Sequence, residues 1–337
     1  MAITLGNTKL RHGLVLAPMA GVTDGAYRAL CRSMGAEMTV TEMVSAKAVY
    51  YKDKKTKLLA RISPKEAPCA LQLFGSEPEI LAYAAAALWR ESEEAAKNGA
   101  ECAAPCAIDL NMGCPVPKIV NNGEGSALLQ SPARIRELTA AVKAAVPLPV
   151  SVKLRIGFTE QTVNIEETVC AAVEGGADLI TIHGRTRSQM YRPGIDYAAI
   201  RRGVEAAKGA VPVLGNGDIF CAADARRMLL ETGCNGLMLA RGTRGNPFLF
   251  AEVLAMLENR PYSPPSPRQR LQTALRQVEA MAAEHGELPA VLRARKLLCW
   301  YSAGLCGSAS ARRRINEAQS LADVRALIEA LMAQQPS

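Results

Sequence analysis

The chain has 337 residues, 49% of them hydrophobic, and a formal net charge of +8. This composition excludes a disordered or fibrous chain and supplies enough apolar material for one α/β domain of about 250 residues plus a smaller unit. Ten cysteines would suit a secreted disulfide scaffold, but residues 1–13 hold no apolar signal core. No run approaches the ~20 apolar residues of a membrane span, so the expectation is a reduced, cytoplasmic protein whose positive charge suits a polyanionic partner.

Residues 4–10, T-L-G-N-T-K-L, read as a small hairpin turning at Gly6 and Asn7. A repeated beat of short apolar run, loop and amphipathic helix follows. The runs are 14–17, 38–41, 69–74, 107–111, 149–154, 178–183, 211–215 and 236–240. Helical stretches between them include 25–34, 77–96, 132–145, 164–174, 197–208 and 222–231. Glu77-Pro78 and Ser131-Pro132 mark helix starts, and Gly99, Gly175-Gly176 and Gly233 mark stops. This beat predicts a (β/α)8 TIM barrel rather than an open doubly wound sheet, and no G-x-G-x-x-G follows the first run.

Residues 259–268, N-R-P-Y-S-P-P-S-P-R, predict a proline-rich linker, dividing the chain into a barrel over 1–258 and a tail over 269–337. The stretches 269–284, 289–304 and 309–332 read as helices of a small all-α bundle. From residue 261 onward, ten Arg or Lys face six Asp or Glu, which gives this short stretch +4 of the +8. Its basic groups cluster as Arg293, Arg295, Lys296 and as Arg312, Arg313, Arg314, with Trp300 and Tyr301 near the first cluster. The pattern fits either solvated helix faces or an RNA-binding surface.

In a barrel the chemistry gathers at the carboxyl ends of strands. Those positions hold Ala17 to Gly21, Gln72, Asn111 with Cys114 beyond it, Lys153 and Arg155, His183 and Arg185, Gly215 to Asp218, and Ala240 to Gly245. Cys114 sits in a Gly-Cys-Pro turn that defines its backbone. The loops G-N-G-D and A-R-G offer approachable backbone N–H groups and a guanidinium, and together point to a phosphate monoester. Lys153 in the same mouth would set a cation beside the edge of a flavin ring, or would pair with a structural carboxylate.

These pieces resemble the tRNA-dihydrouridine synthases, closest to the bacterial B-type branch. The matching motifs are L-A-P-M-A-G-V-T-D, Q-L-F-G at Gln72, D-L-N-M-G-C-P-V-P-K, G-S-A-L-L from Gly125, V-K-L-R-I-G-F, I-T-I-H-G-R-T-R, G-N-G-D-I and R-G-T-R-G-N-P, with A-R-K-x-x-x-W-Y in the tail. The resemblance implies FMN in a barrel, reduced by NADPH, and reduction of the C5–C6 double bond of uridines in the tRNA D-loop. Hydride passes from flavin N5 to C6, and Cys114 is implied as the acid that protonates C5. Pro18, Met19 and Ala20 would lie along the flavin, and Gln72 and Lys153 at its pyrimidine edge. Asn216, Gly217, Asp218, Ala240, Arg241 and Gly242 would hold the phosphate end. His183 is a candidate on either the cofactor or the uracil. Asn111, Lys118, Arg155, Arg185, Arg293, Arg295 and Lys296 are candidates for the RNA. No metal site is expected. Two departures stand out: Ala240 replaces the first glycine of the usual G-R-G, and residues 100–106 lengthen the approach to the fourth run.

Three rivals remain at this stage. One is a flavin barrel acting on a free pyrimidine, which the basic tail disfavours. Another is an iron–sulfur site at Cys102 and Cys106, which lacks a close third ligand. The last is a non-catalytic RNA-binding module, disfavoured by Cys114, Lys153 and His183.

Overall fold

The computed structural model describes residues 2–335. The chain opens with a two-stranded antiparallel hairpin, β1 (Ile3–Leu5) and β2 (Thr8–Leu10), turning where Gly6 takes φ +56°. The remaining strands are β3 (Leu14–Leu16), β4 (Met38–Val40), β5 (Val44–Ser45), β6 (Cys69–Phe74), β7 (Ala107–Met112), β8 (Val150–Gly157), β9 (Leu179–Thr186), β10 (Val213–Asn216) and β11 (Gly236–Leu239). Apart from β5, each of them lies within or upon one predicted run. Parallel pairing runs from β3 through β4, β6, β7, β8, β9, β10 and β11 and back to β3, which closes a TIM barrel. The two-residue β5 is an addition that pairs with the end of β6.

Helices cover the outside. Helix Pro132–Ala145 begins with proline at its first position and buries Ile135, Leu138, Thr139 and Val142, the i, i+3, i+4, i+7 stripe of an amphipathic helix. Helix Ala222–Thr232 ends where Gly233 adopts φ 69°, a left-handed cap that lets its N–H reach Leu229 O. Strand alternation separates two environments. In β8, Val150, Val152, Leu154 and Ile156 join the apolar layer under the helices, whereas Lys153 and Arg155 face the barrel cavity. At the amino-terminal end, the hairpin's Ile3, Leu5 and Leu10 pack with Val15, Met38, Ala107 and Met238 as an apolar floor. Cys106 packs against this floor, at the opposite end of β7 from Cys114.

Irregular backbone after helix Leu249–Leu257 ends at Ser266, before the expected end of the proline-rich stretch. Ser266 Oγ accepts from the Gln269 N–H and Gln269 Oε1 accepts from the Ser266 N–H. This reciprocal cap with Pro267 at the first position starts the helix earlier than its apolar pattern does. Among the described residues the tail holds helices Pro267–His285, Glu287–Tyr301, Ser308–Arg314 and Leu321–Ala333. The expected helix over 309–332 is therefore two, because Ser320 and Asp323 form a capping box that begins a new helix.

The tail has its own core of Leu271, Val278, Val291, Leu298, Tyr301, Val324 and Ile328, and Ala26 of the barrel packs into it. A Glu284 carboxylate oxygen accepts the Ala26 N–H at 2.8 Å, and the Tyr27 hydroxyl donates to Thr243 O. Gly245, at φ +66°, meets Trp300 so closely that a Cβ there would lie 2.6 Å from Trp300 Cβ. No helix among the described residues is long and apolar enough to cross a membrane.

Candidate active site

A cavity of about 510 Å3 opens at the carboxyl ends of the strands, above the apolar floor. Period-two alternation places its polar lining: Gln72 from β6, Asn111 from β7, Lys153 and Arg155 from β8, His183 and Arg185 from β9, and Asn216 from β10.

A directed chain of hydrogen bonds ties the interior to the cysteine loop. Buried Asp109 accepts from Ser151 Oγ at 2.5 Å and from Gln72 Nε2 at 2.6 Å. Gln72 Oε1 then accepts from Asn111 Nδ2 at 2.9 Å, and Asn111 Oδ1 accepts the Cys114 N–H at 2.9 Å and the Gly113 N–H at 3.2 Å. A carboxylate can only accept, so its position fixes the sense of both amides. The carbonyl of Cys114 is held by Ser126 Oγ at 2.9 Å, and Arg155 Nε donates to Gly113 O at 3.0 Å. Gly125, at φ +60°, leaves no space for a Cβ, which would lie 2.8 Å from Cys114 O.

Electrostatics follow from burial. It pushes Asp109 up to about 6, against the bonds from Ser151 and Gln72 and the attraction of Lys153. Burial and then Arg155 lower Lys153 to about 8; its Nζ donates to Asn216 Oδ1 at 3.2 Å. Burial, followed by Lys153 and three arginines, holds His183 well below the usual imidazole range, so the ring is neutral. Burial also raises Cys114, overcoming the Val116 N–H and the nearby Arg155 and Lys153, which keeps the thiol protonated at neutral pH.

At the ends of β10 and β11, Gly217 takes φ +125° and a Cβ there would lie 2.8 Å from Ile195 Cγ2. A Cβ on Gly242 would lie 2.1 Å from Ile219 O. The backbone N–H groups of Gly217, Asp218, Arg241 and Gly242 have no partner among the described residues. Asp218 accepts from Arg185 Nη2 and, at 2.9 Å, from Arg241 Nη2. This cradle of free N–H groups, glycine-only backbone and a guanidinium fits the phosphate end of a flavin mononucleotide, and the amides and Lys153 deeper in the cavity offer donors and an acceptor to a ring.

Pro18, Met19, Ala20, Gln72, Asn111, Cys114, Lys153, Arg155, His183, Arg185, Asn216, Gly217, Asp218, Ala240, Arg241, Gly242 and Lys296 all line this one cavity. Three candidates do not. Lys118 is exposed on the short helix Pro117–Val120. Arg293 lies beside a second cavity and pairs with Asp24 at 2.9 Å. Arg295 lines neither cavity. Arg185 is fully buried and donates to Arg192 O, His183 Nε2 and Asp218, so its geometry suits holding these groups rather than touching a ligand. The sequence reading missed Met43, Tyr191 and Phe220 in the lining, and it held Arg244 only as part of the loop after the eighth run, without a role. Tyr191 carries Arg155 and Arg241 at 5.7 and 5.2 Å from its ring centroid. Its signal in the sequence was an aromatic residue between Met190 and Arg192 in the loop after β9.

The family description "Dihydrouridine synthase (Dus)" matches residues 15–335. A probable tRNA-dihydrouridine synthase of Treponema pallidum is 37% identical over 333 residues, covering 97% of this chain and 95% of that one. The tRNA-dihydrouridine synthase B of Pseudomonas aeruginosa is 35% identical over 323 residues, covering 94% and 92%. That of Vibrio parahaemolyticus is 36% identical over 298 residues, covering 88% of each chain.

Proposed function

The chain belongs to the dihydrouridine synthase family, and from that premise we propose that it reduces the C5–C6 double bond of D-loop uridines in tRNA, with FMN bound in the barrel and NADPH as reductant. The observation that carries this reading is the meeting, in one cavity, of the Cys114 loop with the glycine cradle of β10 and β11. Gly217, Asp218, Arg241 and Gly242 would hold the cofactor's phosphate, with Pro18, Met19, Ala20, Gln72 and Lys153 about its ring. When bound, the flavin supplies the hydride that reaches C6 of the uracil.

Cys114 supplies the other hydrogen. Its thiol proton goes to C5, and the resulting thiolate is reprotonated from solvent. A thiol raised by burial stays loaded with its proton at working pH, and the Asn111 amide holds its backbone still. Neutral His183 accepts from Arg185 at Nε2, which leaves Nδ1–H as a donor for a uracil oxygen or a phosphate. Lys153 adds a cation where enolate charge develops. A base in folded tRNA must leave its stack to enter a cavity of this kind, which calls for a second grip on the RNA. The basic helices over 269–337 supply that grip, the barrel over 1–258 supplies the chemistry, and the enzyme works in the cytoplasm where tRNA is found.

A single-turnover reaction tests the reading. The reduced protein is mixed with unmodified tRNA, flavin absorbance is followed and dihydrouridine is mapped, beside Cys114→Ala. Reoxidation with dihydrouridine in the D-loop, slowed in a variant that keeps its flavin, is expected. A flavoprotein that tRNA leaves reduced refutes the proposal.

A further inference from the structure

Next to the main cavity, and sharing Val22, Arg244 and Lys296 with it, lies a second cavity of about 220 Å3 at the seam of barrel and tail. Arg244 comes from the loop after β11 and Lys296 from helix Glu287–Tyr301, and both stack on Trp300, at 5.0 and 5.2 Å from its ring centroid. Among the described residues neither side chain donates a hydrogen bond or forms an ion pair, and Arg244 Nε is closed off from solvent without an acceptor. Arg155, Arg185 and Arg241, by contrast, all donate to protein oxygens. Two cations held against one indole ring, at the neck between two cavities and lacking an anion, offer donors suited to a phosphate.

Beyond that neck the second cavity is lined by Met281, Leu292 and Gln277. Gln277 Oε1 accepts from Tyr301 Oη at 2.9 Å, and its Nε2 has no partner among the described residues. Asp24 also lines this cavity, but its carboxylate is engaged by Arg293 at 2.9 Å and by the Tyr27 N–H at 3.0 Å. Apolar surface with one amide donor suits a flat heteroaromatic ring.

We infer that the second cavity receives the nucleotide adjoining the target uridine, its base inside and the linking phosphate between Arg244 and Lys296. The inference rests on the RNA reading above and adds to it a place where the neighbour of the reduced base is read. Two cavities joined at a cationic neck accept two successive nucleotides, so the fit of the second limits which uridine is presented to the first.

A nicotinamide dinucleotide also carries phosphate and base, so the test uses both probes on the full chain. Unmodified tRNA and NADP+ are titrated separately against wild type, Arg244→Gln, Lys296→Gln and Lys296→Arg over a range of salt. Each Gln variant is expected to bind tRNA about tenfold more weakly and to lower the slope of log affinity against log salt by about 0.7 to 1. Lys296→Arg is expected to recover most of the loss, because the charge returns. NADP+ affinity should stay within twofold. Lys296 is exposed, so its substitution is compatible with folding, which thermal melting checks. Unchanged tRNA affinity and salt slope in both Gln variants overturn the inference, as does a loss confined to NADP+. Failure of the underlying function looks different: wild type itself then makes no dihydrouridine.

Discussion

Replacing Asp109 by Asn should make the protein more stable at neutral pH. The residue is 1% exposed, and burial raises it from 3.8 to about 6. That displacement corresponds to about 3 kcal/mol of preference for the protonated form. In sign, a raised carboxyl binds its proton more tightly folded than unfolded, so the stability it confers is present below about pH 4 and lost as pH rises through about 6. Asn cannot ionise and escapes this loss. It can also keep the local bonds, with Oδ1 accepting from Gln72 Nε2 and Nδ2 donating to Ser151 Oγ, the partners Asp109 now has. The gain above pH 7 is therefore up to about 3 kcal/mol, less what Lys153 returns on losing the attraction of the carboxylate, and about half as much at pH 5. Urea denaturation of wild type and variant from pH 5 to 8 measures it. A difference independent of pH, or an Asn variant weaker throughout, refutes the burial argument.

Cys114→Ala should slow dihydrouridine formation by about 10²- to 10⁴-fold, the range for loss of a general acid, with flavin content unchanged in the absorbance spectrum. Gly242→Ala forces a methyl to 2.1 Å from Ile219 O; overpacking of about 1–3 kcal/mol should weaken flavin retention by roughly ten- to a hundredfold, read from the flavin-to-protein absorbance ratio beside circular dichroism. Asp218→Asn leaves buried Arg185 and half-buried Arg241 without their shared carboxylate and should cost about 3 kcal/mol in urea denaturation. Inorganic phosphate should recover part of that loss by taking the carboxylate's place, and a variant within about 0.5 kcal/mol of wild type would count against the pairing.

The barrel was legible because buried parallel strands read as short apolar runs. Strands β8 and β9 nevertheless extend past their runs to Gly157 and Thr186, since Arg155 and Arg185 are polar residues facing inward and end the run without ending the strand. The helix break near Ser320 was hidden because Ile315, Ala318 and Val324 are all buried, so the apolar pattern carries on across it. Most of the site was visible as polar residues in register at strand ends. Asp109 stood in the motif, but its bonds to Gln72 and Ser151 come from neighbouring strands far away in sequence. Tyr191 lies on a loop held against Arg155, so no local pattern marks it as lining; Arg244 stood in the stretch after the eighth run, but its place against Trp300 depends on the tail. Lys118 follows the cysteine closely in sequence, but the short helix at Pro117 turns it to solvent, outside the cavity.

The hairpin packs across the amino-terminal end of the barrel, so the cavity has its mouth at the carboxyl ends of the strands. In the proposed reaction a dinucleotide and a folded RNA both need that mouth, and neither is small enough to share it. They must visit in turn, the oxidised dinucleotide leaving before the RNA arrives. Steady-state rates then follow parallel lines in a double-reciprocal plot, and an RNA that arrives first, at an unreduced site, blocks the reductant and inhibits its own conversion.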